Sequence, residues 1–245
     1  MKTIDASNMY YRQLNELVDD AIKVDKTISL KNVFGQRYIG RGLPEKVQVK
    51  IYGIPGNDAA AYMDGAELEI FGNAQDAVGN TMNFGQITIH GNCGDTLGYA
   101  MRGGQIYVKG NVGYRVGIHM KEYKEMKPVI VVGGKAGDFL GEYMAGGAII
   151  VLGLNLLKDE EIIGNFCATG MHGGVVYLNG HPNKYHFGKE AVKIDLNDND
   201  IKFLKNHIDF YAKSFKQELS KIKIENFSKY AAINKNPYAN MYCNN

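Results

Sequence analysis

The sequence predicts an all-β solenoid, a parallel β-helix of about six to seven coils with a helical extension at each end. Three observations predict it. The first is a repeated frame, Met-x-x-Gly-x-apolar-x-apolar-x-Gly, present as Met82-Asn83-Phe84-Gly85-Gln86-Ile87-Thr88-Ile89-His90-Gly91 and again as Met101-Arg102-Gly103-Gly104-Gln105-Ile106-Tyr107-Val108-Lys109-Gly110. Variants occupy residues 63–72, 144–153 and 171–180, and a degenerate copy begins at Met120 and resumes in Val129-Ile130-Val131-Val132-Gly133. The closing glycines are 72, 91, 110, 133, 153 and 180, with steps of 19, 19, 23, 20 and 27. The second observation is period-two alternation inside each copy, the pattern of a half-buried strand. The third is composition: all 30 glycines fall between Gly35 and Gly188.

Each element follows from these. Stacked copies place Leu68/Ile87/Ile106/Ile149/Val176 in one interior ladder and Ile70/Ile89/Val108/Val151/Leu178 in another. A single copy cannot bury its apolar side, whereas stacked coils can. The recurring methionines, 63, 82, 101, 120, 144 and 171, predict a further ladder. With no Cys or His partner at fixed spacing, an adaptable corner filler explains them better than a soft-metal site. Upstream of each frame lies a second short apolar segment, Ala77-Val78, Thr96-Leu97, Arg115-Val116 or Phe139-Leu140, each followed by glycine, which suggests a second strand per coil.

The glycine distribution divides the chain into an N-terminal helix and strand cap at 1–31, a Gly-rich β-helix at 32–184, and a C-terminal helix and tail at 185–245. Ser7 can cap a helix to about Ile22, with Tyr10, Leu14, Leu17, Val18 and Ala21 on one side. A second helix beginning at Asp198 or Asn199 carries Ile201, Leu204, Ile208, Tyr211, Phe215 and Leu219 in a stripe. Both helices are natural covers for the open ends of the solenoid, although the second can equally dock on another subunit. The tail 234–245 is expected on a surface. Two insertions, 119–127 and 156–161, concentrate charge and map to loops; a solvated charge run is the expected role of each, and a face that meets a partner is the alternative.

A net charge of +2 gives no footprint for nucleic acid. The longest apolar run, 145–154, is too short and too Gly-rich to span a membrane. Cys93, Cys167 and Cys243 show no C-x-x-C pairing, which suggests free thiols in a reducing, cytoplasmic setting. Residues 129–137 imitate a dinucleotide-binding strand and turn, but glycines 141, 146 and 147 leave no room for the helix that mechanism needs. The five serines, 7, 29, 214, 220 and 228, all lie outside the Gly-rich core, so it has no serine nucleophile. His90, His119 and His172 sit in different coils without ligand spacing. Asp76, Asp95 and Asp138 share one repeat offset, six residues before the methionine. Turn-capping through backbone amides is the expected role of this ladder, and a bridging divalent cation is the alternative. No catalytic, cofactor-binding or metal-binding residue is therefore assigned.

Longer runs carry a resemblance. Gly35-Gln36-Arg37-Tyr38-Ile39-Gly40, Gly72-Asn73-Ala74-Gln75-Asp76, Met101-Arg102-Gly103-Gly104, residues 113–123, residues 137–147 and Gly170-Met171-His172-Gly173-Gly174 resemble the C-terminal Gly-rich (GXGXG) domain of the glutamate synthase large subunit, over about residues 30–182. One of the polypeptides of formylmethanofuran dehydrogenase, with the same kind of coil, is similar more distantly. The resemblance implies a right-handed β-helix that holds other domains in position. It also implies a cytoplasmic, non-catalytic scaffold subunit in glutamate synthesis and nitrogen assimilation. Its partners would be a glutaminase (amidotransferase) subunit and an FMN-containing synthase subunit, with FMN and an iron–sulfur cluster on those partners and none on this chain. The alternatives are a hydrolase or esterase using Cys93 or Cys167, and a self-associating structural protein.

Overall fold

A computed structural model of the chain describes residues 1–220 and 222–233; the tail 234–245, with Cys243, lies outside the described residues. Among the described residues, the repeat and its flanks form one 11-stranded sheet. Strand β1 (Lys2–Asp5) is followed by helix α1 (Tyr11–Val24), then by β2 (Thr27–Phe34) and β3 (Gln48–Ile54). The six predicted strands are β4 (Asp64–Phe71), β5 (Phe84–Ile89), β6 (Gln105–Val108), β7 (Val129–Val132), β8 (Ala145–Val151) and β9 (Gly173–Asn179). Strand β10 (Ala191–Ile194), helix α2 (Asp198–Phe215) and strand β11 (Phe227–Ala232) complete the fold. Strands β1 to β9 run parallel in chain order, and the sheet ends β9-β11-β10 with antiparallel pairing.

The interior ladders form as the alternation predicts. Leu68 pairs with Ile87, Ile87 with Ile106, Ile106 with Ile130, Ile130 with Ile149 and Ile149 with Val176. The degenerate copy thus supplies Ile130 in full register. All these side chains are buried, and each contributes roughly 1.5–3 kcal/mol by leaving water. The six methionines are all 0% exposed, as expected of a ladder inside the coil.

The register corrects one boundary. Gly134, not Gly133, stacks beneath Gly110: the Gly134 amide donates to the Gly110 carbonyl at 2.9 Å, and the Gly153 amide to the Gly134 carbonyl at 3.2 Å. Two adjacent glycines made the choice ambiguous in one dimension. Gly133 serves another purpose, because a methyl there would strike the Tyr211 hydroxyl on α2.

The second apolar segment is not a strand. Val78, Leu97, Val116 and Leu140 are buried as foreseen. Around them, however, the backbone is left-handed at every second residue: Ala77, Gly79 and Thr81 have φ of 58°, 70° and 53°, and Thr96, Gly98 and Ala100 have 56°, 67° and 49°. Bonds of the i to i+3 kind, such as Asn80 amide to Ala77 carbonyl at 3.2 Å, make these consecutive tight turns. Extended pairing is impossible with such dihedrals, yet neighbouring coils still bond amide to carbonyl, as Thr96 does to Tyr114 at 2.7 Å.

The ends also depart from expectation. Helix α1 starts at Tyr11 without a side-chain cap, because the Ser7 amide and hydroxyl both bond Asp5 Oδ1. It buries Leu14, Val18 and Ala21 in the main core, while Tyr10 and Leu17 of the expected face stay exposed. Helix α2 does not cover the solenoid's end. Its Leu204, Ile208, Tyr211 and Phe215 pack on the outward side chains Tyr107, Val129, Val131, Ile150 and Tyr177 of β6–β9, forming a second core. The C-terminal end of the sheet is extended instead by β11 and β10. The reason is visible in the strands: from β7 onward the outward positions become apolar (Val129, Val131, Ala148, Ile150) and need a cover of their own.

Candidate functional site

The corners are built first. In Gly72-Asn73-Ala74-Gln75-Asp76 and its successors, each Asn or Asp side chain accepts an amide of the next coil. Asn73 Oδ1 accepts from Asn92 at 2.8 Å, Asn92 Oδ1 from Asn111 at 2.8 Å and Asn111 Oδ1 from Lys135 at 3.0 Å. In the parallel column, Asp76 Oδ1 accepts from the Asp95 amide at 2.9 Å, Asp95 Oδ1 from Tyr114 at 2.8 Å and Asp138 Oδ1 from Asn165 at 2.8 Å. The following glycines are obligatory by contact: a methyl at Gly94 or Gly113 would strike the Asp76 or Asp95 carboxylate. The aspartates are thus turn caps, and no group of three or more His, Cys, Asp or Glu suited to a metal ion occurs among the described residues.

Cys93 and Cys167 stand in different coils. Cys93 stands in a bridge column with Ala74, Val112, Ala136 and Ile163, while Cys167 bridges to Phe187. Both are buried, and burial pushes both thiols well above the usual cysteine range. A thiol held neutral is a poor nucleophile.

The outward ends of the left-handed turns stack from coil to coil over the later coils. Phe139 stacks on Phe166 with centroids 5.0 Å apart, and the Arg115 guanidinium lies 4.6 Å above the Phe139 ring. In the next column His119 stacks on Tyr143 at 5.4 Å and meets the edge of Tyr99 at 5.9 Å. Arg115 Nε donates to Glu142 Oε2 at 3.1 Å and ties the two columns together. Tyr62, Tyr114 and Phe166 are more than half exposed. Among the described residues, nothing on this face is a nucleophile paired with a base. It is a contact surface of aromatic and arginine side chains, the composition enriched where proteins dock.

The opposite, sheet-side surface is ordered by α2. The Tyr107 hydroxyl lies 2.8 Å from His207 Nδ1 and donates to Gln105 Oε1 at 2.9 Å. The Tyr177 hydroxyl donates to Asp200 Oδ1 at 2.6 Å, and Lys229 Nζ to Asp200 Oδ2 at 2.7 Å. Burial pushes the Asp200 carboxyl up. Hydrogen bonds from the Asn197 backbone, Lys229 and Tyr177 outweigh it and hold the carboxyl below its usual range. Asn197 and Asp200 also form a reciprocal capping box that starts the helix. His90, placed by the alternation on the outward side, stacks on Phe71 at 4.7 Å and meets Phe215 at the end of α2. The first insertion turns back at Tyr123 and Met126 and rises beside two clefts, of about 550 Å³ and about 290 Å³. The second insertion is pinned by ion pairing of Lys135 to Glu160.

A family model described as the GXGXG motif matches residues 12–235, nearly the whole chain. The chain belongs to the GXGXG family. An uncharacterized protein of Methanocaldococcus jannaschii is 42% identical over 248 aligned positions, which take in 98% of this chain and 95% of that protein. The GXGXG match extends over α1, α2 and β11, so in this family member the helices belong to the matched unit. No helix among the described residues is long and apolar enough to cross a membrane.

Sequence reasoning placed the corner aspartates and the outward His90 where they are. It missed the aromatic columns and the polar contacts beneath α2. The columns did leave a signal, since Arg115, Phe139 and Phe166, and likewise His119 and Tyr143, recur at one offset from the methionine of each coil.

Proposed function

We propose that this chain is a non-catalytic scaffold subunit of a glutamate-synthase-like complex in the cytoplasm. It would hold a glutaminase (amidotransferase) subunit and an FMN-containing synthase subunit in register for glutamine-dependent glutamate synthesis, with FMN and an iron–sulfur cluster on the partners. The observation that carries the reading is the turn face. Its Arg115, His119, Tyr143 and Phe166 side chains are exposed and stack from coil to coil, Arg115 and Phe166 through the half-buried Phe139, with no nucleophile–base pair beside them among the described residues. Rigid aromatics lose little conformational freedom on docking, which favours them as anchors. Membership of the GXGXG family supports the choice of complex.

Co-expression with amidotransferase and flavin-barrel proteins encoded beside it tests the reading. The expected result is co-elution as a defined complex, weakened about tenfold or more by Tyr62→Ser with Phe166→Ser at unchanged melting temperature. The purified chain is expected to carry neither FMN nor iron and to show no glutaminase activity. Stoichiometric flavin on the chain alone, or an esterase activity abolished by alkylating Cys93 or Cys167, would overturn it. Light scattering that finds a homo-oligomer closed over the turn face would do the same in favour of self-association.

A further inference from the structure

We propose that the C-terminal end of the solenoid carries a binding site for a purine mononucleotide, a ligand smaller than a flavin in which a flat base is joined through its ribose to a phosphate. The site is independent of the scaffold reading. After β9 the chain passes Gly180 and a short 3-10 turn, Lys184–His186, before returning as β10. Between this return and β11 lies a cleft of about 630 Å³, within the range of small-molecule sites.

Its walls divide by chemistry. Phe187 and Tyr230 stack with centroids 4.0 Å apart and planes 19° from parallel, and Tyr230 is buried. Tyr185 adds a third, exposed ring. Among the described residues, Lys184, Lys189, Lys193 and His181 supply the ionisable groups of the lining other than these phenols, and no carboxylate lines the cleft. The acids of the neighbourhood are turned elsewhere: Glu190 Oε2 accepts the Gly170 amide at 3.1 Å, and Glu161 faces His186 at 3.8 Å. Among the described residues none of the three lysines has a carboxylate within 4.0 Å. A chain of net charge +2 thus places three exposed lysines without a carboxylate partner around one concavity.

His181 is held at the edge of the cleft by Ser228. Ser228 Oγ donates its single proton to the Gly180 carbonyl at 2.7 Å, so it can only accept from His181 Nδ1–H. Nε2 is left free toward the cleft, an acceptor for a ligand N–H in the neutral ring and a donor to a phosphate oxygen only in the imidazolium. Several separated ammonium groups suit a multi-oxygen dianion better than a single carboxylate, and the rings offer the stacking that a flat ligand requires.

Isothermal titration of the full chain with AMP, adenosine and inorganic phosphate tests this. AMP is expected to bind about tenfold or more tightly than either of the others. Combined Lys184→Ala, Lys189→Ala and Lys193→Ala should weaken AMP by about tenfold or more at unchanged melting temperature. Tyr185→Ala should weaken AMP and leave phosphate unaffected. Absence of AMP binding at millimolar concentration, equal binding of adenosine, or an unaffected lysine variant would overturn the site. Tighter binding of a single-stranded oligonucleotide than of AMP would also overturn it. Co-elution with protein partners should be untouched by the lysine changes, so this test and that of the scaffold role fail separately.

Discussion

Tyr107 and His207, 100 residues apart, meet at 2.8 Å between the outer face of the sheet and helix α2. Burial depresses the His207 imidazole from 6.5 to about 4. Above about pH 6.5 it is neutral in both folded and unfolded chains and contributes nothing to pH dependence. Between 6.5 and 4 the unfolded chain takes up a proton that the folded one refuses, so stability falls as pH falls; below about 4 the loss levels off. A shift of that size corresponds to roughly 3 kcal/mol. Urea unfolding followed across this range should show the slope, and His207→Gln should flatten it. The depressed Asp200 carboxyl acts lower down: its contribution is present above the ordinary aspartate pKa of 3.8 and is lost as pH falls below it.

Glycines of the turns separate backbone cost from packing cost. Gly35 has φ +81° with open space where a side chain would begin, whereas Gly98, at +67°, would drive a methyl into Ile130 Cδ1. Gly35→Ala should therefore lose about 1–2 kcal/mol from the left-handed backbone alone. Gly98→Ala should lose a further 1–3 kcal/mol for overpacking. Thermal unfolding of the two variants under one condition checks the difference.

The corner ladder contains its own control. Asn92 and Asp95 perform the same task one corner position apart, each accepting one amide of the next coil. Asp95→Asn should thus be nearly silent. Asp95→Ala should cost about 1–3 kcal/mol by leaving the Tyr114 amide unpaired. Equal losses for both variants would show that the carboxylate's charge, and not its acceptor oxygen, matters.

The buried thiols give a kinetic readout. In a Cys243→Ser background, Cys93 and Cys167 should react with a thiol reagent only as fast as the coils open, and stoichiometrically after denaturation. Fast reaction of either in the native protein would revive the hydrolase alternative.

Gly133→Ala should loosen α2, since the methyl would meet both the Tyr211 hydroxyl and the Lys109 carbonyl. We expect a loss of about 1–3 kcal/mol, only partly restored by Tyr211→Phe, because the carbonyl remains. Near-ultraviolet dichroism of the aromatic cluster under α2 and denaturant titration report the change.

What the amino-acid sequence determined by itself was everything periodic: the strands β4–β9, the Ile87/Ile106/Ile149 ladder, the methionine column and the corner role of Asp76, Asp95 and Asp138. Periodicity suffices there because neighbouring coils are translations of one another, so equal sequence offset means spatial contact. Tertiary structure decided the rest. Val78 and Leu97 read as strand residues because burial, not dihedral angle, is what apolar spacing reports; the alternating left-handed turns became visible only with the backbone. Gly133 against Gly134 was settled by which carbonyl each amide could reach. The landing place of α2 needed the outward residues of four strands, Tyr107, Val131, Ile150 and Tyr177, to be seen as one apolar surface. No window of sequence contains a contact between residues 107 and 207, because a helix can bury its stripe on any apolar face within reach, and packing alone selects which.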